Sequence, residues 1–171
     1  MEETAHLIIG LVFCVLLAFL WAKLEINVEG KHGFAEKLPC WRDNRLLFRK
    51  VLGGPLTGYH FYLWTFLFAM FHLPFILYLE WSLKMEFLTL GLLAFTFILE
   101  DFFWFVFNPN FTIEQFLQGP AGGIWWQPQR IGPLPACYTY YAIGIMVFFA
   151  LYLITPGDFS LLKLILEKLS T

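Results

Sequence analysis

A chain of 171 residues that is 59% apolar and only 14% charged, with a mean hydropathy of +0.66, carries more apolar surface than a water-soluble core can bury. Its net charge of −2 removes the electrostatic basis for binding nucleic acid, and its three cysteines (Cys14, Cys40 and Cys137) follow no metal or redox spacing. The composition leaves an all-α fold, a polytopic membrane helical bundle of four transmembrane helices with interfacial amphipathic segments, and one integral membrane domain over 1–171. The 20% aromatic share suits both lipid contact and helix packing, so it implies no pigment or haem by itself.

A spanning helix needs about 20 mostly apolar residues. The first run that qualifies, near 6–24, has no cleavage pattern behind it and is read as a retained anchor ending at Lys23, with Cys14 a small hydrophobe inside it. The connection over 23–58 holds seven of the eleven basic residues. Within it, Trp41, Leu46, Phe48 and Leu52 alternate with Arg and Lys, which predicts an interfacial amphipathic segment over 41–54. The second span, near 59–79, contains His72 and Pro74. The short link after it predicts that the second and third helices are antiparallel neighbours. The third span, near 87–107, contains Glu100 and Asp101. A Gly/Pro-broken connection over 108–135 follows, with Trp125 and Trp126 placed as interfacial anchors. In the fourth span, near 136–155, Tyr138, Tyr141, Ile145, Phe148 and Tyr152 recur at three- and four-residue steps, the pattern of a packing stripe. A last amphipathic segment over 158–169 is too short to span. The basic residues favour a cytoplasmic side for the 23–58 and 108–135 connections and external termini, in a cell (inner) membrane.

The chemistry concentrates where lipid should exclude it. A carboxylate at the depth of Glu100 or Asp101 costs ~2.5–3.5 kcal/mol on insertion scales. Two adjacent ones cannot both stay ionised cheaply without a partner. Thr96, Trp104 and Asn108 extend a polar seam from Glu100 at four-residue steps. Arg42, Arg45, Arg49 or Arg130 are the cations able to clamp the pair or a lipid headgroup. On the second helix, His72 and Thr65 share a face, and His72 falls roughly 10 Å from the depth of the acids at 1.5 Å per residue. An imidazole bonded to a backbone carbonyl freed by Pro74 is the simpler role for His72. His60 sits at the cytoplasmic mouth of that helix. No histidine has metal-ligand spacing, so neither a metal nor a cofactor is assigned. Motifs for phosphate-binding loops, serine hydrolases, zinc proteases and thiol redox sites are absent.

The stretches VEGKHGFAEKLPCWR, GGPLTGYH with FHLPF, LEDFFWFVFNP, IWWQP and GPLPACY together resemble a family of small uncharacterised prokaryotic multi-span membrane proteins. The resemblance covers nearly the whole chain and implies a multi-span helical protein. It draws attention to Glu29, His60, Glu100, Asp101, Trp104, Asn108 and Trp126. In the family form the position of Gln127 is His and that of Cys40 is Thr; the departure here weakens any metal reading that recruits Gln127.

Three functional readings follow, with membrane lipids as partners in each. The first is an intramembrane acidic site for a proton or cation, working in a homo-oligomer or as a subunit of a membrane complex. The second is a membrane enzyme acting on a lipid-like substrate, with His60 and Glu100 or Asp101 as base and acid and the arginines holding an anionic head. The third is an accessory subunit whose acids are only clamped by arginine. Whether the protein is an enzyme is left open by the residues alone.

Overall fold

The computed structural model describes residues 2–52, 54–77 and 81–156. The segment predicted over 158–169 and the end of the predicted second span lie outside the described residues. Four helices are long and apolar enough to cross a membrane: Leu7–Glu29, Gly58–Leu77, Leu83–Phe107 and Ala136–Ile154. In chain order the elements are α1 (Glu2–Glu29), β1 (Arg42–Asp43), α2 (Leu46–Leu52), β2 (Leu56–Thr57), α3 (Gly58–Leu77), α4 (Leu83–Phe107), α5 (Ile113–Gln118), β3 (Arg130–Ile131), β4 (Leu134–Pro135) and α6 (Ala136–Ile154). The fold is therefore mostly helical, with two antiparallel strand pairs, β1–β2 and β3–β4, that the all-α expectation did not contain.

The first helix does not stop at Lys23. It runs to Glu29, because its buried stripe of Cys14, Ala18, Trp21, Glu25 and Glu29 repeats at three- and four-residue steps straight through the charged residues. Those residues turn inward against α4, which is the central element and packs along both α1 and α6. The predicted pairing of the second and third spans is weak by comparison, since α3 touches α4 only lightly. Helix α4 also begins four residues earlier than predicted. Ser82 caps it by accepting the Met85 N–H at 3.2 Å.

The connections are tied down by strand pairs and arginine hydrogen bonds. Helix α2 covers only Leu46–Leu52 of the segment predicted to be amphipathic over 41–54; its flanks are drawn together by the β1–β2 pair. Arg42 donates to the carbonyl oxygens of Ala35, Glu36, Leu38 and Cys40, so it staples the preceding loop. Arg45 pairs with Asp43 at 2.6 Å, and its guanidinium holds the Asp43 carboxyl below the ordinary aspartate value. In the other connection, Arg130 donates to the carbonyls of Phe116, Leu117 and Pro133. Gly119 allows this close approach: its φ is +61°, and a Cβ there would lie 3.0 Å from the guanidinium. Phe116, Ile124 and Trp126 from this connection join Trp104 and Phe105 in an aromatic core that caps the ends of α1 and α4.

Candidate functional site

Four helix ends meet beneath this cap. Asn108, which ends α4, donates to the Gly30 carbonyl just beyond α1 at 2.9 Å. His60, in the first turn of α3, faces Glu29 at the end of α1 with 3.7 Å between Nε2 and Oε1. Tyr138, in the first turn of α6, donates to Asp101 Oδ2 at 2.6 Å. The result is a cluster of Glu25, Glu29, Glu100 and Asp101, drawn from only two helices and lined by residues of all four.

The four carboxyl groups have different surroundings. Glu29 accepts the backbone N–H of Phe34 at 3.2 Å and that of Ala35 at 2.5 Å. Asp101 accepts from Tyr138 and from the Gln127 amide, whose Nε2 lies 3.0 and 3.1 Å from its two oxygens. These two are supplied with donors. Glu25 and Glu100 lie beside each other, with Trp21 and Tyr59 next to Glu25. Each leaves Oε1 buried with no hydrogen-bond partner among the described groups. The Gln127 Oε1, the Tyr59 hydroxyl and the Trp104 indole N–H are unpartnered and buried in the same way.

Two small cavities open within the cluster, of about 110 and 40 Å³. Glu25, His60, Glu100, Asp101, Phe34 and Trp126 line both. A water needs about 10–15 Å³ on this measure and two to four polar partners, so the larger cavity has room for several. No Lys or Arg is among the described residues that line either one. No three His, Cys, Asp or Glu side chains among the described residues are placed to hold one metal ion. His60 is fixed on its other edge by Thr57, whose hydroxyl accepts the His60 backbone N–H at 3.2 Å and lies 2.7 Å from Nδ1. That hydroxyl can donate to Nδ1, which puts the ring proton on Nε2, facing Glu29. The Phe34 ring stacks on the imidazole with centroids 4.6 Å apart.

The predicted seam of Thr96, Glu100, Trp104 and Asn108 is buried along its whole length, but it faces α1 rather than α3. Thr96 donates to the Leu92 carbonyl, and Asn108 is a tie between helix ends. Trp104 lines the smaller cavity. His60 joins the acids; Thr65 and His72 do not. Thr65 is exposed and donates to the Phe61 carbonyl. His72 binds the carbonyl of Phe68, its own helical predecessor, rather than the Met70 carbonyl that Pro74 frees. Its Nε2 lies 3.0 Å from Glu86 Oε1 at the far end of α4. Fourteen residues at 1.5 Å each put that contact about 21 Å from Glu100.

The arginines are engaged elsewhere or, for Arg49, exposed, so none of Arg42, Arg45, Arg49 and Arg130 meets the acid pair. Trp125 is exposed, whereas Trp126 is buried over the site. Glu25, Tyr59, Gln127 and Tyr138 were missed. The signal for Glu25 was present in the step from Trp21 to Glu25 to Glu29. Tyr138 looked like packing because a tyrosine stripe carries no mark of which hydroxyl finds an acid. No family model, no curated protein and no solved structure matches this chain.

Proposed function

We propose that this is an integral membrane protein that crosses the bilayer four times and holds exchangeable protons on the Glu25–Glu100 pair. The observation that carries the reading is the pair itself: two facing carboxyl groups, each with a buried oxygen that has no partner and no Lys or Arg beside it among the described residues. Ionising both in a low-dielectric site without a counter-charge costs several kcal/mol per ion, which a proton removes. Glu29 and Asp101 already have donors, so the pair is where a proton is needed. The groups facing it are Glu29 from α1, Tyr59 and His60 from α3, Asp101 from α4, and Cys137, Tyr138 and Tyr141 from α6. His60 lines both cavities and is the group best placed to pass a proton between the pair and the Glu29 side.

The test is infrared difference spectroscopy of the protein in lipid nanodiscs after a pH jump. A protonated-carboxyl band is expected that weakens or shifts in Glu25→Gln and in Glu100→Gln and is lost in the double variant, while Glu86→Gln leaves it intact. In vesicles loaded with a pH-sensitive dye, the double variant Glu25→Gln/Glu100→Gln is expected to reduce proton movement to that of protein-free vesicles. A band unchanged in both single variants, or a flux unchanged in the double variant, would sink the reading.

The same proposal puts the termini outside and the two basic connections in the cytoplasm. Lys37 is exposed in the first connection. A cysteine placed there in a chain whose own cysteines are serine should react with a membrane-impermeant maleimide in inverted vesicles only. Labelling in right-side-out vesicles alone would reverse the orientation.

A further inference from the structure

An apolar groove of about 620 Å³ runs between α2 and α3, walled by Leu47, Phe48 and Leu52 on one side and Phe61, Trp64 and Phe68 on the other. The hydroxyl of Thr65, its polar member, is spent on the Phe61 carbonyl, so the wall offers nothing to a polar ligand. Leu52 and Trp64 line this groove and also the larger polar cavity. Those two side chains therefore stand where the groove and the site adjoin, and Trp64 is within ring contact of His60, with centroids 5.2 Å apart.

The polar end sets what head group fits. Glu25, Glu100 and Gln127 are each more than nine-tenths buried, and each presents an acceptor oxygen with no partner. No described Lys or Arg lines the cavity. An anionic head would meet carboxyl groups with no Lys or Arg among the described lining residues to balance it, and Arg42 and Arg45 are committed to the loop and to Asp43. A hydroxyl head supplies one donor. An ammonium supplies three donors and the missing positive charge, and the Trp64 and Phe34 rings line the same cavity.

We infer that the site takes a single-chain amphiphile with a protonated amine head, its alkyl chain in the α2–α3 groove and its ammonium among Glu25, Glu100 and Gln127. This rests on the proposed reading of the pair as a proton site, because an entering ammonium takes the place of a proton there. The ligand belongs to the membrane itself, and the groove is its route in from the lipid.

The experiment uses the full chain in phosphatidylcholine nanodiscs, with hexadecylamine, hexadecanol, hexadecanoate and butylamine each added in turn and bound ligand counted by native mass spectrometry. Hexadecylamine should be retained one to one and preferred over the other three by at least about tenfold, or 1.4 kcal/mol. Thr65→Trp, which fills the groove at a residue that does not line the polar cavity, should lose the hexadecylamine adduct while keeping the infrared carboxyl band of the ligand-free protein. Equal retention of the three sixteen-carbon ligands, preference for hexadecanoate or hexadecanol, or equal binding of butylamine overturns the inference. So does a Thr65→Trp protein that keeps both the band and the adduct. The carboxyl band is read without ligand, so its loss or survival in Glu25→Gln and Glu100→Gln judges the proton site separately. Should Thr65→Trp not fold, the ligand series on the unaltered protein decides alone.

Discussion

Replacing Gln127 by Leu and Tyr138 by Phe together is expected to destabilise the protein by about 3–5 kcal/mol, the cost of stripping the partners from a buried charge. Asp101 receives three hydrogen bonds, two from the Gln127 amide and one from the Tyr138 hydroxyl, and no described cation stands near it. Each substitution alone leaves at least one donor in place, so each should cost about 1–3 kcal/mol. The discriminating arm adds Asp101→Leu to the double variant. That change removes the charge left without donors, and replacing a buried polar group together with its partners by apolar groups is close to neutral. Most of the lost stability should return. The measurement is unfolding of the detergent-solubilised protein followed by tryptophan fluorescence. A double variant within about 1 kcal/mol of the parent would show that water, rather than these side chains, satisfies Asp101.

The parts of this molecule that were legible in its sequence are those set by the chain's own periodicity. Helices long and apolar enough to cross a membrane are continuous runs, so all four were visible, and the last was placed within one residue at its C-terminal end. The seam from Thr96 to Asn108 follows from a helical repeat within one element, and its burial bears that repeat out. What the sequence hid depends on which element faces which. Glu25 and Glu29 looked like the polar flank of a span because a hydropathy window penalises charge wherever it occurs. Only the inward stripe from Cys14 to Glu29 shows that they point at α4. Gln127 and Tyr138 reach Asp101 across 26 and 37 residues of chain, and no local pattern encodes such a meeting. The arginines misled for the opposite reason. Their charge suggested a partner of opposite sign, yet backbone carbonyls in irregular loops also need donors, and Arg42 and Arg130 serve those.

Glu29 shows how the site and the fold depend on one carboxyl. Phe34 and Ala35 both adopt left-handed backbone, with φ of 60° and 55°, which side chains other than glycine seldom do. The Glu29 carboxyl binds the N–H of each, and Ala35 is fully buried. Removing it by Glu29→Ala leaves two amides without acceptors and should cost about 2–4 kcal/mol. Amide hydrogen exchange over 30–40 should quicken, because the strained turn then keeps only the Arg42 bonds to its carbonyls. The consequence reaches the site, since the same turn sets the Phe34 ring against His60. Glu29→Gln should recover less than half of the loss, its amide N–H₂ meeting a second donor head-on.

Ala35→Gly makes the complementary case. The left-handed conformation costs an ordinary residue about 1–2 kcal/mol, and glycine gives back about 0.5–1 of that through its freer unfolded chain. The net expectation is a gain of up to about 1.5 kcal/mol in the parent protein. In the Glu29→Ala background the turn is no longer forced into that conformation, so the same glycine should gain little. The two changes should therefore couple by about 0.5 kcal/mol or more in a double-mutant cycle. Strict additivity would mean that the left-handed pair is held by something other than Glu29.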